Sequence, residues 1–224
     1  MTRYIAPILI GLIGAAILLS LGTWQMQRLA WKEGVLAEID ARIDGTPDDL
    51  PDTPSFDRDR YAPVQMTGRA EGDELHVLVS HKKFGPGYRV VTVFETETGR
   101  RVLLDHGFIK DETKDAARAP LEGYVTGNLH WPDDRNSSTP ENDVAGNIWF
   151  ARDIEQMSTV LGTEPVLVVL RTTSEADPTV TPLPVDSSAI PNDHLNYAIT
   201  WFSLAAVWLG MTGFWLWRIR RRTI

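Results

Sequence analysis

Two uncharged stretches at opposite ends of the chain constrain everything between them. Residues 5–24 run from Ile5 through Leu21 without a charge and close on Gly22, Thr23 and Trp24. Residues 196–217 form a second uncharged run that holds Trp201, Trp208, Trp215 and Trp217. Each reaches the roughly 20 residues a helix needs to cross a hydrocarbon core about 30 Å thick. Tyr197, Trp215 and Trp217 stand near the ends of the second run, where amphipathic rings favour the membrane interface. The first run can also be read as a secretory signal, with Arg3 as its positive end and Ser20 and Gly22 near a cut. Its apolar run is long for a signal core and the helical pattern continues past the cut, which favours a retained span.

Charge sets the orientation. Arg218, Arg220, Arg221 and Arg222 follow the second run at once, whereas Asp193 and His194 precede it. The positive-inside rule therefore predicts a cytoplasmic tail at 218–224, and two spans put residues 1–4 on the same side. Arg28 and Lys32 count against this, less strongly than four clustered arginines. Residues 25–195 are then extracytoplasmic. All 30 acidic residues lie there; five basic ones lie outside, leaving 17 and a balance of −13. That acidity suits a solvated domain. The overall charge of −8 argues against nucleic-acid binding. Zero cysteines exclude disulfides, thiolate metal sites, covalent c-type haem attachment and a cysteine nucleophile.

Between the spans the pattern changes twice. From residue 25 to 44, Leu29, Leu36, Ile39 and Ile43 recur at helical intervals among charged residues, predicting an amphipathic helical lead-in that Gly45, Thr46 and Pro47 stop. Residues 48–60 read as an acidic loop. Strand-like runs follow at 61–69, 75–80, 88–96, 101–109, 124–131 and 166–170, with one short helix over 153–161 ended by Gly162 and a long turn-rich loop at 132–147. Residues 173–191 carry Pro178, Pro182, Pro184 and Pro191 and predict an extended connector. Many short strands with few helices point to an antiparallel barrel or sandwich. The expected fold is thus two transmembrane α-helices flanking a β-rich extracytoplasmic domain.

The chain carries no phosphate loop, no Gly-x-Ser-x-Gly, no His-Glu-x-x-His and no dinucleotide fingerprint, so no enzyme is expected. His76 and His81 sit five apart, which on one strand points them to opposite faces. With His106 and His130 they read as structural or surface residues rather than metal ligands. His194 differs. On a helix it shares a face with Ala198, Trp201 and Ala205 at i, i+4, i+7 and i+11. Small residues beside an imidazole let a flat ring approach, and imidazole is the usual axial ligand of haem iron. Spacing alone leaves a second reading, an interfacial histidine that caps the helix or bonds the connector. Trp24, Arg28 and Trp31 also share a helix face, where a cation among indoles can meet a propionate or a lipid phosphate. An ordinary aromatic belt with snorkelling basic residues gives the same pattern.

These two segments carry a resemblance. Gly22-Thr23-Trp24-Gln25 with Arg28, Trp31 and Lys32 resembles the first-span signature of the Surf1 (Shy1-type) family of cytochrome oxidase assembly factors. Asn192-Asp193-His194-Leu195-Asn196-Tyr197-Ala198-Ile199-Thr200-Trp201-Phe202 is similar to that family's second-span signature. Tyr61-Ala62-Pro63-Val64 with Gly68, and Asn147-Ile148-Trp149, fall between them in the family's order. Two departures stand out. The family's central strand usually ends in an Arg-Gly-Trp-Val-Pro type of run, read here as His106-Gly107-Phe108-Ile109-Lys110. The second asparagine before the histidine is Asp193, a carboxylate beside His194.

The resemblance implies an assembly factor of haem–copper cytochrome c oxidase that binds haem A and assists its delivery. It implies His194 as the haem iron ligand. Clustering at one membrane depth, at the ends of the two apolar spans, makes Trp24, Trp31, Tyr197 and Trp201 the expected neighbours of the macrocycle and Arg28 and Lys32 the expected propionate partners. Implied partners are the oxidase catalytic subunit, haem A synthase and membrane lipid. A short chain without an Arg- and Ser-rich leader favours a bacterial inner membrane with a periplasmic central domain. The alternative is a cofactor-free scaffold that stabilises a nascent oxidase subunit.

Overall fold

A computed structural model describes residues 2–188 and 190–221; Arg222 of the predicted basic tail lies outside the described residues. The chain divides into two compact units, Met1–Glu38 with Ser187–Ile224, and Ile39–Asp186.

The first unit is built on two long helices, α1 (Thr2–Ile43), whose last five residues belong to the second unit, and α4 (His194–Arg221). At 1.5 Å per residue they are about 63 and 42 Å long. Both are long and apolar enough to cross a membrane. α1 passes without a break from the apolar stretch into the amphipathic lead-in, with Pro7 in its second turn. Ile5, Leu9, Leu12, Ile13 and Ile17 of α1 are more than half exposed, as are Val207, Met211 and Phe214 of α4. The buried residues instead form a narrow stripe on each helix. On the part of α1 in this unit they are Pro7, Gly11, Ala15, Gly22 and Gln25; on α4 they are Ala198 and Ala205.

The second unit starts with β1 (Asp48–Asp49) and a single helical turn, α2 (Phe56–Asp59), neither of which has an apolar pattern. The long strand β2 (Pro63–His81) joins two strands that the sequence separates. Its register against β3 (Gly85–Thr96) shifts between Glu71 and Leu75, so the glycine and charges read as a turn form an irregularity within one strand. β4 (Arg101–Lys110), β5 (Glu122–Leu129), α3 (Ile154–Leu161) and β6 (Leu167–Thr173) complete it. Asp153 caps α3 by accepting from Gln156 N–H, and Gly162 closes it at φ 64°.

The strand order is β1-β2-β3-β4-β6-β5, and β2 pairs with β5 as well. The sheet is mixed, which corrects the wholly antiparallel expectation. β2–β3, β3–β4, β2–β5 and β5–β6 are antiparallel, whereas β1–β2 and β4–β6 are parallel. β6 runs parallel to β4 because the chain reverses direction twice between them, once into β5 and again into β6, which lies between β4 and β5.

β4 and β6 carry consecutive apolar residues, at 102–104 and 167–170, because both faces are covered there. One face puts Leu104 and Val168 among Val64, Met66, Phe94, Val125 and Leu129. The other puts Leu103 and Leu167 among Leu75, Val77, Val91, Trp149 and Met157 of α3. Between Val90–Gly107 and Val91–Asp105 the ladder skips a residue, so His106 is the extra one in a bulge. Gly107 has φ 119°, and a Cβ there would strike the Thr181 carbonyl oxygen. That close approach is where the Pro-rich connector docks: Phe108 and Thr181 exchange backbone hydrogen bonds of 2.7 and 2.8 Å.

Candidate functional site

The two apolar helices pack antiparallel through small residues. Gly11 faces Thr212, Gly14 faces the Trp208 indole and Gly22 faces the Phe202 ring, with no room for a Cβ at any of the three. Small residues that admit a neighbouring helix are how helices associate where burying apolar area gives no advantage. Trp208 Nε1–H donates to the Gly11 carbonyl oxygen at 3.1 Å. At the opposite end of this seam, His194 Nδ1 and Gln25 Oε1 lie 2.8 Å apart. Gln25 is only 8% exposed. The sequence spacing that put His194, Ala198, Trp201 and Ala205 on one face marks the face turned to α1, since Ala198 and Ala205 are 1% and 2% exposed.

His194 is the first residue of α4. Its Nδ1 is engaged by Gln25, and Nε2 has no hydrogen-bond partner among the described residues. Two positions earlier, Asn192 Oδ1 is buried without a donor. An acceptor left so costs about 1–3 kcal/mol unless water or a bound group supplies a proton.

Trp201 is half-buried in the seam, whereas Trp24, Trp31 and Tyr197 are more than half exposed. Trp208 closes on Gly14 along one flank of the pair, and Phe202 closes on Gly22 along the other. At about 100° per residue, Trp24, Arg28, Trp31 and Tyr197 all fall on the Trp208 flank. The Arg28 guanidinium sits 4.3 Å over the Trp31 ring. Lys32 is half-buried and has no ion pair among the described residues. The arrangement offers one unengaged imidazole nitrogen, a flank of open aromatic faces and two cations. That donor set fits a single axial bond to the iron of a flat, anionic macrocycle.

The other four histidines each have a contact in the β-rich unit, although the buried His130 Nδ1 has no hydrogen-bond partner among the described residues. His76 Nε2 lies 3.1 Å from Glu74 Oε2, and its backbone N–H donates to Asn147 Oδ1. His81 stacks on Phe84, and His130 on Tyr61. His106 Nε2 lies 2.7 Å from Thr92 Oγ1. Burial holds the His106 imidazole below its ordinary range and pushes His130 down to about 4, helped in each case by a nearby arginine. No cluster of three metal-ligating groups occurs among the described residues.

The β-rich unit holds a cavity of about 210 Å³ lined by Glu74, Thr92, His106, Arg118 and Asp177 among others. Its charges answer one another. Arg118 donates to Glu74 at 2.8 Å and to the carbonyl oxygens of Thr113 and Lys114, and Asp177 accepts from Ala119 N–H.

Two features escape sequence reading. One is a buried ion network on the sheet. Asp105 is fully buried and accepts from Arg89 at 2.6 Å, and Arg152 lies 3.5 Å from the same oxygen while donating twice to Asp134. Burial alone would raise Asp134, but the hydrogen bonds and charge of Arg152 outweigh it and hold its carboxyl below the ordinary range. The other is Gln25. A lone glutamine has no periodic signal; what could have found it is its place as a polar residue on a stripe of small and apolar ones.

The family model for the SURF1 family matches residues 12–206, a range that contains both ends of the Gln25–His194 pair. Surfeit locus protein 1 of Gallus gallus is 30% identical over 216 residues, covering 83% of this chain and 67% of that protein. The human protein of the same name is 28% identical over 212 residues, 83% of this chain and 69% of its own length. A SURF1-like protein of Rickettsia bellii (strain RML369-C) is 30% identical over 206 residues, covering 87% of this chain and 84% of that protein. A match across both helices and the intervening sheet, in this order, means that the chain belongs to the SURF1 family.

Proposed function

We propose that this chain is a membrane-anchored assembly factor of haem–copper cytochrome c oxidase. In this reading α1 and α4 cross a bacterial inner membrane with both chain ends in the cytoplasm. Continuous exposed apolar surface on both helices supports insertion, because soluble monomers rarely expose patches of that extent. The basic end of α4, with Arg218, Arg220 and Arg221, supports the orientation. The β-rich unit is periplasmic, and the return of its pairings to β2 supports a small barrel.

Haem A is the proposed cargo, and His194 Nε2 is its iron ligand. When bound, the haem would supply an iron that the His194 imidazole would hold. Trp24, Trp31 and Tyr197 offer ring faces to the macrocycle, Trp201 closes the seam beside it, and Arg28 and Lys32 neutralise propionates. The chain holds and hands over haem without turnover of its own. Its partners are the oxidase catalytic subunit, haem A synthase and surrounding lipid. The observation that carries this reading is the His194 imidazole, held by Gln25 at one nitrogen and unengaged at the other, at the end of an apolar helix pair.

Expression of the full chain in cells with and without a haem A synthesis pathway tests it. A haem spectrum that accompanies the purified protein only when the pathway is present is the expected result. A colourless protein that still retains oxidase subunits points instead to a cofactor-free scaffold.

A further inference from the structure

A carbonyl oxygen can only accept a hydrogen bond, so the proton between Gln25 Oε1 and His194 Nδ1 belongs to the imidazole. A neutral ring protonated at Nδ1 carries its lone pair on Nε2. Were the amide reversed, its NH₂ would donate to Nδ1, the ring proton would move to Nε2, and that nitrogen could no longer bind a metal. The orientation of one buried amide therefore decides which ring nitrogen is available.

Helix adhesion is a weak reason for burying this pair. Hydrogen bonds between helices in lipid add little, because separated helices find other partners there. The rest of the seam holds through Gly11, Gly14 and Gly22 without polar side chains on α1. A metal-binding histidine, by contrast, almost always has its second nitrogen bonded to a carbonyl or carboxylate, which sets its tautomer and raises its basicity.

We infer that Gln25 is the positioning residue for His194: it accepts Nδ1–H, locks the ring against rotation and keeps Nε2 free for the iron of a porphyrin. This rests on the haem reading proposed above.

The test uses the full chain in lipid nanodiscs, without haem and labelled with ¹⁵N at histidine. The His194 signals are identified by their loss in His194→Ala. Nitrogen shifts that show a protonated Nδ1 and an unprotonated Nε2 are expected, with no substitution at Gln25 required. In Gln25→Leu the tautomer preference disappears and added haem binds about 10- to 100-fold more weakly. Gln25→Glu, which keeps an acceptor, retains both within a few-fold. A protonated Nε2 in the wild-type chain overturns the inference, as does a Gln25→Leu chain with unchanged tautomer and haem affinity. If the tautomer is as expected but the wild-type chain takes up no haem, the haem reading fails while the tautomer assignment holds.

Discussion

The indole Nε1–H of Trp208 donates to the carbonyl oxygen of Gly11, 197 residues earlier in the chain, and the same ring fills the space beside Gly14. This contact ties the two apolar helices at the end of the seam away from His194. It also makes Gly14 intolerant of a side chain. A Cβ built on Gly11 lies 3.1 Å from Thr212 Cβ, shorter than the roughly 3.5–4.5 Å span of a disulfide, so a helix shift of under about 1 Å would bring a cysteine pair to bonding geometry. In a chain without native cysteine, Gly11→Cys with Thr212→Cys should cross-link readily on oxidation. Adding Gly14→Leu should displace Trp208 and reduce the cross-linked fraction severalfold. Efficient cross-linking in the triple variant would mean that the seam tolerates a wedge there.

Acid should loosen the β-rich unit before it protonates the carboxylates. His130 is neutral in the fold because burial, then the Arg152 charge, push it down to about 4, while an unfolded histidine titrates near 6.5. Between those values the unfolded chain binds more protons, so stability is full above about pH 6.5 and falls as pH drops toward 4. The span corresponds to about 3 kcal/mol at most. Half-buried His106 is lowered as well, by desolvation, and acts in the same direction. Burial would raise Glu74 and Asp134, but the His76 hydrogen bond and then Arg118 hold Glu74 below the carboxylate range, and Arg152 with its hydrogen bonds does so for Asp134; both lose their contribution at lower pH still. Thermal unfolding of the full chain, followed by β-sheet circular dichroism, should show a midpoint that declines from pH 7 to 5. His130→Phe should flatten that decline.

The ion network around Asp105 predicts an asymmetry between substitutions. Asp105→Ala leaves Arg89 and Arg152 half-matched in a buried place and should cost about 3–5 kcal/mol. Asp105→Asn keeps an acceptor for Gly107 N–H and should cost less. Arg152→Met, which also strands Asp134, should approach the alanine value. Denaturant unfolding ranks the three, and equal losses would contradict the assignment of Asp105 as the shared counter-charge.

The parts of this architecture that were legible in the sequence depend on local pattern. The two apolar stretches, the helix capped by Asp153 and closed by Gly162, and the His194–Ala198–Trp201–Ala205 face each follow from spacing along one element. What was not legible depends on contacts between distant segments. Arg89, Asp105, Asp134 and Arg152 belong to separate elements, so no window of sequence unites them. The parallel pairing of β4 with β6 has the same side-chain period as an antiparallel one. The join of two strand-like runs into β2 is hidden because a bulge and a turn use the same glycines and charges. Of the helix-pair site, His194 and the aromatic residues were visible as a motif. Gln25 was visible only as a letter of the first-span signature; its role was not, because that comes from a partner 169 residues away.

The most direct measurement is the haem content and visible spectrum of the full chain purified from cells that make haem A, compared with His194→Ala prepared in the same way. The account predicts stoichiometric haem with a histidine-ligated spectrum in the wild-type chain, and loss or marked alteration of both in the variant. An alanine variant that keeps its full haem and an unchanged spectrum would contradict it.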